Sequence, residues 1–199
     1  MVDPYDPKIT GYKLPKQSAD IVLLSHKHPD HAFLDGVSDY KLLVDTPGEY
    51  EMAGTFIYGT KTYHDDKKGK ERGENTIFQI DMDGFSLLHL GDLGHDLSTE
   101  TLERLSDIDV LMVPVGGNYT IDAKTALKVI SSIEPYIIIP MHYQTEDLTG
   151  LKGNIDELKV FMDEIGIEGN GVKREDKLTL RSRSDIPEES EVHILSPQH

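Results

Sequence analysis

The stretch Ser25-His26-Lys27-His28-Pro29-Asp30-His31 carries the clearest signal of fold and chemistry in this sequence. It has the spacing His-x-His-x-Asp-His and directly follows the apolar run Ile21-Val22-Leu23-Leu24. Such a run, rich in β-branched residues, predicts a buried strand. A loop that leaves a strand with three imidazoles and a carboxylate is suited to a metal site, here for two ions. A chance cluster of surface histidines is the alternative interpretation.

Composition limits the classes of function. The 199 residues suit a single domain spanning residues 1–199, and 20 Lys and Arg against 36 Asp and Glu give a net charge of −16. This charge repels phosphate backbones and argues against nucleic-acid partners. Cysteine is absent, so any metal must be held by histidine and carboxylate, which suits zinc, manganese or iron.

The start of the chain resembles neither a secretory signal nor a membrane anchor. Residues 1–7 contain no basic segment followed by an apolar one, and no stretch of the sequence is apolar for long enough to span a bilayer. These features predict a cytoplasmic protein without a membrane partner. Its expected partners are a small-molecule substrate and, as an open option, further copies of the chain.

Short apolar runs alternate with amphipathic segments, which predicts a layered α/β domain. Residues 155–165 keep one apolar face, and Gly166 ends that segment. The predicted strands are Ile21–Leu24, Lys41–Val44, Thr55–Tyr58, Thr76–Asp81, Ser86–Leu90, Val110–Val113 and Ile137–Ile139, with Val192–Leu195 as an edge strand. The predicted helices are Thr99–Leu105, Ala123–Ile133 and Ile155–Ile165.

Three later segments also place a histidine or an aspartate just beyond an apolar strand. His64 follows the strand that begins at Thr55, Asp92 follows the strand that begins at Ser86, and His142 follows the run 137–139. Functional groups of α/β folds collect at strand ends. A shared edge of the sheet would bring these residues to the loop His26–His31.

With these segments the chain resembles the metallo-β-lactamase superfamily, and within it the stand-alone metal-dependent hydrolases related to ascorbate-6-phosphate lactonase. The resemblance extends from about Asp3 to Gln198. It rests on the loop His26–His31 and on the residues that follow in the family's order. Further similar stretches are residues 48–51, 72–76, 89–95, 114–117 and 140–143. The resemblance implies an α/β fold, the αββα sandwich of this superfamily.

The resemblance also implies a ligand set for two divalent ions, with zinc first and manganese or iron as alternatives. His26, His28 and His64 would hold one ion. Asp30, His31 and His142 would hold the other, and Asp92 would bridge them. Asp30 and His142 are also the candidate catalytic residues.

Other interpretations of these residues stay open. His64 also fits a solvated loop, Asp92 a turn after a glycine, and His142 a buried histidine with satisfied nitrogens. His89 fits a supporting or core role at least as well as ligation, and His95 fits either. His193 and His199 look incidental.

Four residues are candidates for substrate binding. Arg72 could bind a carboxylate or phosphate with two hydrogen bonds, and Asn75 lies three residues further on. Gly117 belongs to a glycine loop before a helix, where backbone N–H groups can bind an anion. Tyr143 adjoins His142. The plain alternatives are a surface arginine, a turn asparagine, a glycine that allows close packing, and a packed tyrosine.

The start of the chain departs from the family pattern. Family members usually have further strands before the segment that corresponds to Asp3-Pro4-Tyr5, so the sequence predicts a sandwich without those first strands. The leading functional hypothesis is a hydrolase in which a metal-bound hydroxide attacks an ester, a lactone or a phosphoester of a small anionic metabolite. A nuclease or phosphodiesterase of the same superfamily and a non-catalytic metal-binding subunit are the alternatives.

Overall fold

A computed structural model describes residues 1–149 and 154–197 of the protein. The predicted incidental residue His199 lies outside the described residues. In the described part the strands are β1 (Gln17–Ser18), β2 (Ile21–Leu23), β3 (Val37–Ser38), β4 (Leu42–Val44), β5 (Gly48–Met52), β6 (Thr55–Tyr63), β7 (Glu74–Met82), β8 (Phe85–His89), β9 (Val110–Pro114), β10 (Ile137–Met141), β11 (Val172–Glu175) and β12 (Glu191–Leu195). The α-helices are α1 (Pro7–Thr10), α2 (Thr99–Leu102), α3 (Ala123–Ile133) and α4 (Leu158–Ile165).

Eight strands form one large sheet in the order β11-β12-β10-β9-β8-β7-β6-β5. Neighbours from β5 to β8 are antiparallel, whereas β8, β9, β10, β12 and β11 pair in parallel. The prediction of an edge strand at Val192–Leu195 is wrong, because β12 lies between β10 and β11. Its central residues Val192, His193 and Ile194 are buried, as expected of an interior strand.

Two helices cover one face of the large sheet. In α3 the apolar positions Ala126, Val129 and Ile130 are buried at helical spacing, and the Asp122 side chain caps the helix by accepting a hydrogen bond from the Thr125 N–H. In α4, Phe161 is fully buried in the same core cluster. The predicted bounds of α3 are confirmed, while α4 begins at Leu158 instead of Ile155.

A small parallel sheet of β2 and β4 packs against the opposite face. Ile77 belongs to the helix-side core, whereas Phe78 and Ile80 contact Leu23 and Val44 of the small sheet. Successive strand residues point to opposite faces, so this alternation in β7 separates the two layers. The predicted layered α/β sandwich is thereby confirmed.

The directions of the strands bring several strand ends to one edge of the large sheet. Two antiparallel pairings make β6 parallel to β8, and two parallel pairings make β10 parallel to β8. His64 directly follows β6, Asp92 comes three residues after β8, and His142 directly follows β10. The register of the sheet therefore places the three predicted ligands from separate strands together.

The sequence did not predict β1, β3, β5, β11 or α1, and several predicted elements differ in length. β6 and β7 each run over nine residues and extend to the site, beyond their predicted bounds. The polar residues at their ends, such as Thr62 and Asn75, are buried and form hydrogen bonds with one another. Because these residues are polar, the apolar pattern of the sequence did not predict these strand ends. Helix α2 ends at Leu102, three residues before its predicted end.

Replacing Phe161 by alanine tests the helix layer. Because Phe161 is fully buried between α4 and the sheet, we expect Phe161→Ala to lower the free energy of unfolding by about 3–5 kcal/mol in urea titrations. Val160→Ala on the same helix is the control, since Val160 is 42% exposed and its truncation should change little. Equal effects of the two substitutions would contradict this packing.

Candidate metal centre

The carboxylate of Asp92 lies at the centre of a histidine cluster. Its Oδ2 is 3.1 Å from His64 Nε2, 3.4 Å from His142 Nε2 and 3.9 Å from His26 Nε2, and its Oδ1 is 3.3 Å from His31 Nε2. Asp92 is only 3% exposed. A single buried carboxylate thus contacts imidazoles from three different segments of the chain, which is the arrangement expected of a bridging ligand.

Three groups of ligand atoms lie at this site. His26, His28 and His64 form the first, His31, Asp92 and His142 the second, and Asp3, His26 and His31 the third; within each group the ligand atoms lie within 4.8 Å of one another. Asp30 is in none of these groups. Its Oδ2 is 3.9 Å from His31 Nε2, and its side chain lines the cavity beside the second group.

The donors fit divalent ions. The nitrogens His26 Nε2, His64 Nδ1 and His142 Nδ1 are buried and have no hydrogen-bond partner among the described residues. A buried polar atom without a partner costs about 1–3 kcal/mol. His26 Nε2, which lies 3.9 Å from Asp92 Oδ2 within the ligand cluster, therefore calls for a bound group. The donor set of imidazole nitrogens and carboxylate oxygens matches zinc, manganese or iron.

Asp3 fixes two of the histidines, a role that the sequence did not reveal. Its Oδ2 is 3.1 Å from His31 Nδ1 and also accepts a hydrogen bond from Ser25 Oγ at 2.6 Å. Its Oδ1 accepts from the Ser25 backbone N–H at 2.7 Å. Ser25 Oγ lies 2.9 Å from His26 Nδ1. The Asp3 carboxylate and the Ser25 hydroxyl thus hold the Nδ1 atoms of His31 and His26, and the Nε2 atoms of both rings point toward Asp92. Carboxylates behind ligand histidines orient them in this way.

The pKa values of the buried groups in the cluster are shifted in different directions. Burial lowers the pKa of His26 to about 3, and the neighbouring His31 acts in the same direction. Burial also works against a charge on His31, but the carboxylates of Asp92, Asp3 and Asp30 outweigh it and raise the pKa of His31 to about 9. Burial opposes the charge of Asp92 as well, yet His142 and His31 hold its pKa well below the usual range. The site is therefore built to balance buried opposite charges.

Asn75 supports the loop that carries Asp92. Its amide donates to Thr62 Oγ1 at 2.8 Å and to the Leu90 carbonyl at 3.0 Å, and its Oδ1 accepts from the Asp92 N–H at 3.0 Å. The side chain is 1% exposed. Because these hydrogen bonds engage the Asn75 amide within the protein, they favour a supporting role over the predicted contact with substrate. His89 Nδ1 accepts from the Gly91 N–H at 3.0 Å and supports the same loop.

A buried carboxylate organises the loop after His64. Asp65 accepts hydrogen bonds of 2.8–2.9 Å from the backbone N–H groups of Lys67, Gly69, Glu71 and Arg72. Burial disfavours its charge, but these four donors hold the pKa of Asp65 well below the usual range. These hydrogen bonds order the loop over residues 67–73 that follows β6.

The other histidines have structural partners. His95 Nε2 accepts from the Tyr63 N–H at 3.1 Å and its Nδ1 lies 2.7 Å from the Asp96 carbonyl, so both ring nitrogens are used. His193 lies 2.6 Å from Glu175 and 3.3 Å from Glu191, within the strands β11 and β12. Neither ring is among the metal-ligand groups found in the described residues.

The glycine loop after β9 holds His142 by close packing. A Cβ on Gly116 would lie 2.0 Å from the His142 carbonyl oxygen, so only glycine fits there. His142 itself has a left-handed backbone with φ of 55°. The N–H of Gly117, a predicted anion-binding residue, donates to the Ile121 carbonyl at 3.2 Å, which closes the loop on itself. These contacts favour a packing role for the loop.

Two cavities border the cluster. A polar cavity of about 470 Å³ beside His64 is lined by Arg72 and Lys128, and the Arg72 guanidinium lies 5.5 Å from the centre of the Tyr119 ring. A second cavity of about 410 Å³ is lined by Asp30, His31, Asp92, His142 and the predicted substrate residue Tyr143. Arg72 and Tyr143 therefore lie on cavity walls, as a role in substrate binding requires.

Comparison with known proteins identifies the family. The β-lactamase superfamily domain matches residues 1–142. The chain belongs to the metallo-β-lactamase superfamily. A UPF0173 metal-dependent hydrolase of Pelotomaculum thermopropionicum is 30% identical in an alignment that covers 70% of this chain and 76% of that protein. A UPF0173 metal-dependent hydrolase of Thermoplasma acidophilum is 26% identical over 83% of this chain and 84% of its own length.

A solved structure supports the same family. A candidate Zn-dependent hydrolase of the metallo-β-lactamase superfamily from Thermotoga maritima has 34% identity and a TM-score of 0.75, over 97% of this chain and 87% of that one. The family and the hydrolase class predicted from the sequence are confirmed. Among the described residues, no helix has the length and apolarity needed to cross a membrane.

Asp3→Asn tests the positioning of His31. The neutral amide weakens the hold on Nδ1 and breaks the pairing with Ser25, so we expect zinc affinity in competition with a chelator to fall about 10–100-fold. Asp6→Asn is the control, because Asp6 Oδ1 only accepts from the Lys8 N–H at the start of α1. Wild-type affinity in Asp3→Asn would rule out this role.

The substitution Asn75→Ala distinguishes a structural role of Asn75 from a role in substrate binding. Loss of the three buried hydrogen bonds should lower the free energy of unfolding by about 2–3 kcal/mol in urea titrations. A residue that only contacts substrate would leave stability unchanged and raise KM. Asn170→Ala, at an exposed position, should leave both quantities unchanged.

Proposed function

We propose that this protein is a hydrolase that uses two divalent ions, with zinc as the first choice and manganese or iron as alternatives. The observation that carries the proposal is the approach of four histidines to the buried Asp92 carboxylate within 3.1–3.9 Å. In this proposal His26, His28 and His64 would hold one ion, His31 and His142 would hold the other with Asp30 beside them, and Asp92 would be a ligand shared by both sites. Two such ions would acidify water and polarise a substrate oxygen.

The protein's own residues set the geometry of the reaction. Asp3 and Ser25 fix the rings of His31 and His26, and Asn75 holds the backbone of Asp92. Asp30 lies on the wall of the cavity beside His31, where its carboxylate can orient an attacking water and accept its proton. His142, which directly follows β10, contacts Asp92 and lines the same cavity.

The proposed substrate is a small metabolite with an ester, lactone or phosphoester bond. Arg72 supports an anionic group on the side of His64, because its guanidinium lines the polar cavity there together with Lys128. Four aspartates line the same cavity, namely Asp65, Asp66, Asp96 and Asp122, and the carboxylates of Asp65, Asp96 and Asp122 accept hydrogen bonds from backbone N–H groups. The net charge of −16 argues against long nucleic acids as substrates.

Metal analysis combined with a substrate panel tests this function. Protein purified without added metal should contain two equivalents of metal per chain and should hydrolyse at least one lactone, carboxylic ester or phosphodiester. Asp92→Asn should lower both metal content and turnover, the latter by more than about 100-fold, since loss of an outer partner alone costs about 10–100-fold. Asp163→Asn, an exposed substitution on α4, serves as the control.

Each outcome of this experiment is informative. Turnover that is equal in wild type and Asp92→Asn would refute the assigned centre. Full metal content without turnover on the panel would favour a non-catalytic metal-binding subunit. Cleavage of an RNA oligonucleotide at low salt, in preference to the small esters, would favour the nuclease alternative.

A further inference from the structure

The cavity beside His142 has a different character from the polar cavity beside His64. It has a volume of about 410 Å³, within the range of ~300–1,000 Å³ typical of ligand pockets. Its walls carry a set of aromatic and aliphatic side chains that converge on the metal centre: Tyr5, Tyr12, Pro140, Tyr143, Leu148 and Ile155. The reacting centre thus opens onto a largely apolar surface on this side.

Two of the tyrosines that line this cavity have hydroxyl groups that are engaged by the protein. The Tyr5 hydroxyl donates to the Lys13 carbonyl at 2.9 Å, and the Tyr12 hydroxyl pairs with Thr145 Oγ1. A tyrosine ring whose hydroxyl is already engaged offers apolar contact area to a ligand.

Two segments build the outer wall of this cavity. The Thr149 N–H donates to the Thr10 carbonyl at 3.1 Å, and the Tyr12–Thr145 hydrogen bond joins the same two segments. Leu148 is 9% exposed and Ile155 is 8% exposed, so their side chains are largely buried in this wall. The apolar wall is therefore held in place by contacts within the protein.

Among the described lining residues, the outer wall of the cavity carries no cation. Asp3, Asp30, His31 and Asp92 line the end of the cavity at the metal centre, and none of the described lining residues is a lysine or an arginine. The side of the cavity formed by Tyr12, Leu148 and Ile155 therefore offers an anion no cationic partner. Transfer of an anionic group to that wall is costly.

We propose that this cavity binds an uncharged, apolar group of the substrate, of the size of a short acyl chain or a benzene ring, next to the bond that is cleaved. The proposal rests on the hydrolase function proposed above and names its substrate class: esters or lactones with an apolar moiety on the His142 side. Such a group would contact the rings of Tyr12 and Tyr143 while any anionic group lies toward Arg72. Each CH₂ buried there contributes about 0.8 kcal/mol, or about a fourfold gain in affinity.

A matched pair of esters tests the proposal by kinetics. Methyl hexanoate and monomethyl adipate have acyl chains of equal length, only the latter ends in a carboxylate, and neither carries an aryl group that could occupy the cavity instead. With the metal-loaded protein we expect the ratio of their kcat/KM values to depend on the charge of the cavity wall. Tyr12→Lys, which places a cation on the wall, should shift the ratio toward the adipate by about tenfold.

Controls keep this test specific. Tyr40→Lys makes the same replacement at a residue that is 38% exposed and does not line the cavity, so its ratio should match the wild type. Leu148→Arg provides a second cation on the wall, should Tyr12→Lys fail to fold. A ratio that neither variant shifts would overturn the proposal.

A binding measurement separates this proposal from the hydrolase function. Ligand-observed NMR of the metal-loaded protein should detect benzyl alcohol, with binding weakened by Tyr12→Lys but not by Tyr40→Lys. The sulfonated analogue 4-(hydroxymethyl)benzenesulfonate should bind about tenfold more weakly to the wild type. Loss of turnover on both esters with this binding pattern intact would refute the hydrolase function and retain the apolar site. Equal binding of both probes to wild type and Tyr12→Lys would refute the apolar site itself.

Discussion

The buried charge of Asp92 is the constraint on which the site depends. A carboxylate that is 3% exposed cannot be stabilised by solvent, so it needs opposite charge or strong hydrogen bonds from the protein. Its partners are delivered by separate strand ends, with His64 after β6 and His142 after β10. The pairing register of the large sheet and the position of the His26–His31 loop are therefore fixed by the same electrostatic requirement. A shift of one residue in β8 would reverse the faces of its side chains and misplace the loop that carries Asp92.

Around this centre, buried polar side chains use backbone groups to fix the loops that carry the ligands. Asp3 accepts a hydrogen bond from the Ser25 N–H, and Asn75 accepts one from the Asp92 N–H. Asp65 accepts hydrogen bonds from four N–H groups of its own loop. Each of these side chains is satisfied inside the protein, so each rigidifies a loop instead of leaving an unpaired group. Close backbone approach completes the support, since Gly116 lies against the His142 carbonyl where a Cβ would clash. Precision in a metal site of this kind depends on such supporting contacts.

The sequence predicts the candidate ligands better than their supports. The histidine motif and the strand-end positions of His64, Asp92 and His142 follow from local apolar patterns, and α3 has a local cap as well as a helical period. Asp3 contacts Ser25 and His31 across 22 and 28 residues of sequence, a separation at which no local pattern predicts a contact. Asn75 looks like a turn residue in sequence, yet it lies in a strand whose pairing with β6 buries its amide. The interior position of β12 likewise depends on β11, whose four residues Val172–Glu175 carry three charges and give a weak strand signal.

The two cavities beside the centre impose opposite requirements on a ligand that spans it. On the His64 side, Arg72 and Lys128 offer cationic partners to an anion, in a cavity that four aspartates also line. On the His142 side, the outer wall is apolar and none of the described lining residues is a lysine or an arginine. A compact metabolite that is charged at both ends would gain from the first surface and lose at the second, because desolvation of its second charge finds no cationic partner there. Discrimination between substrates would then arise from rejection of charge at one end as much as from attraction at the other.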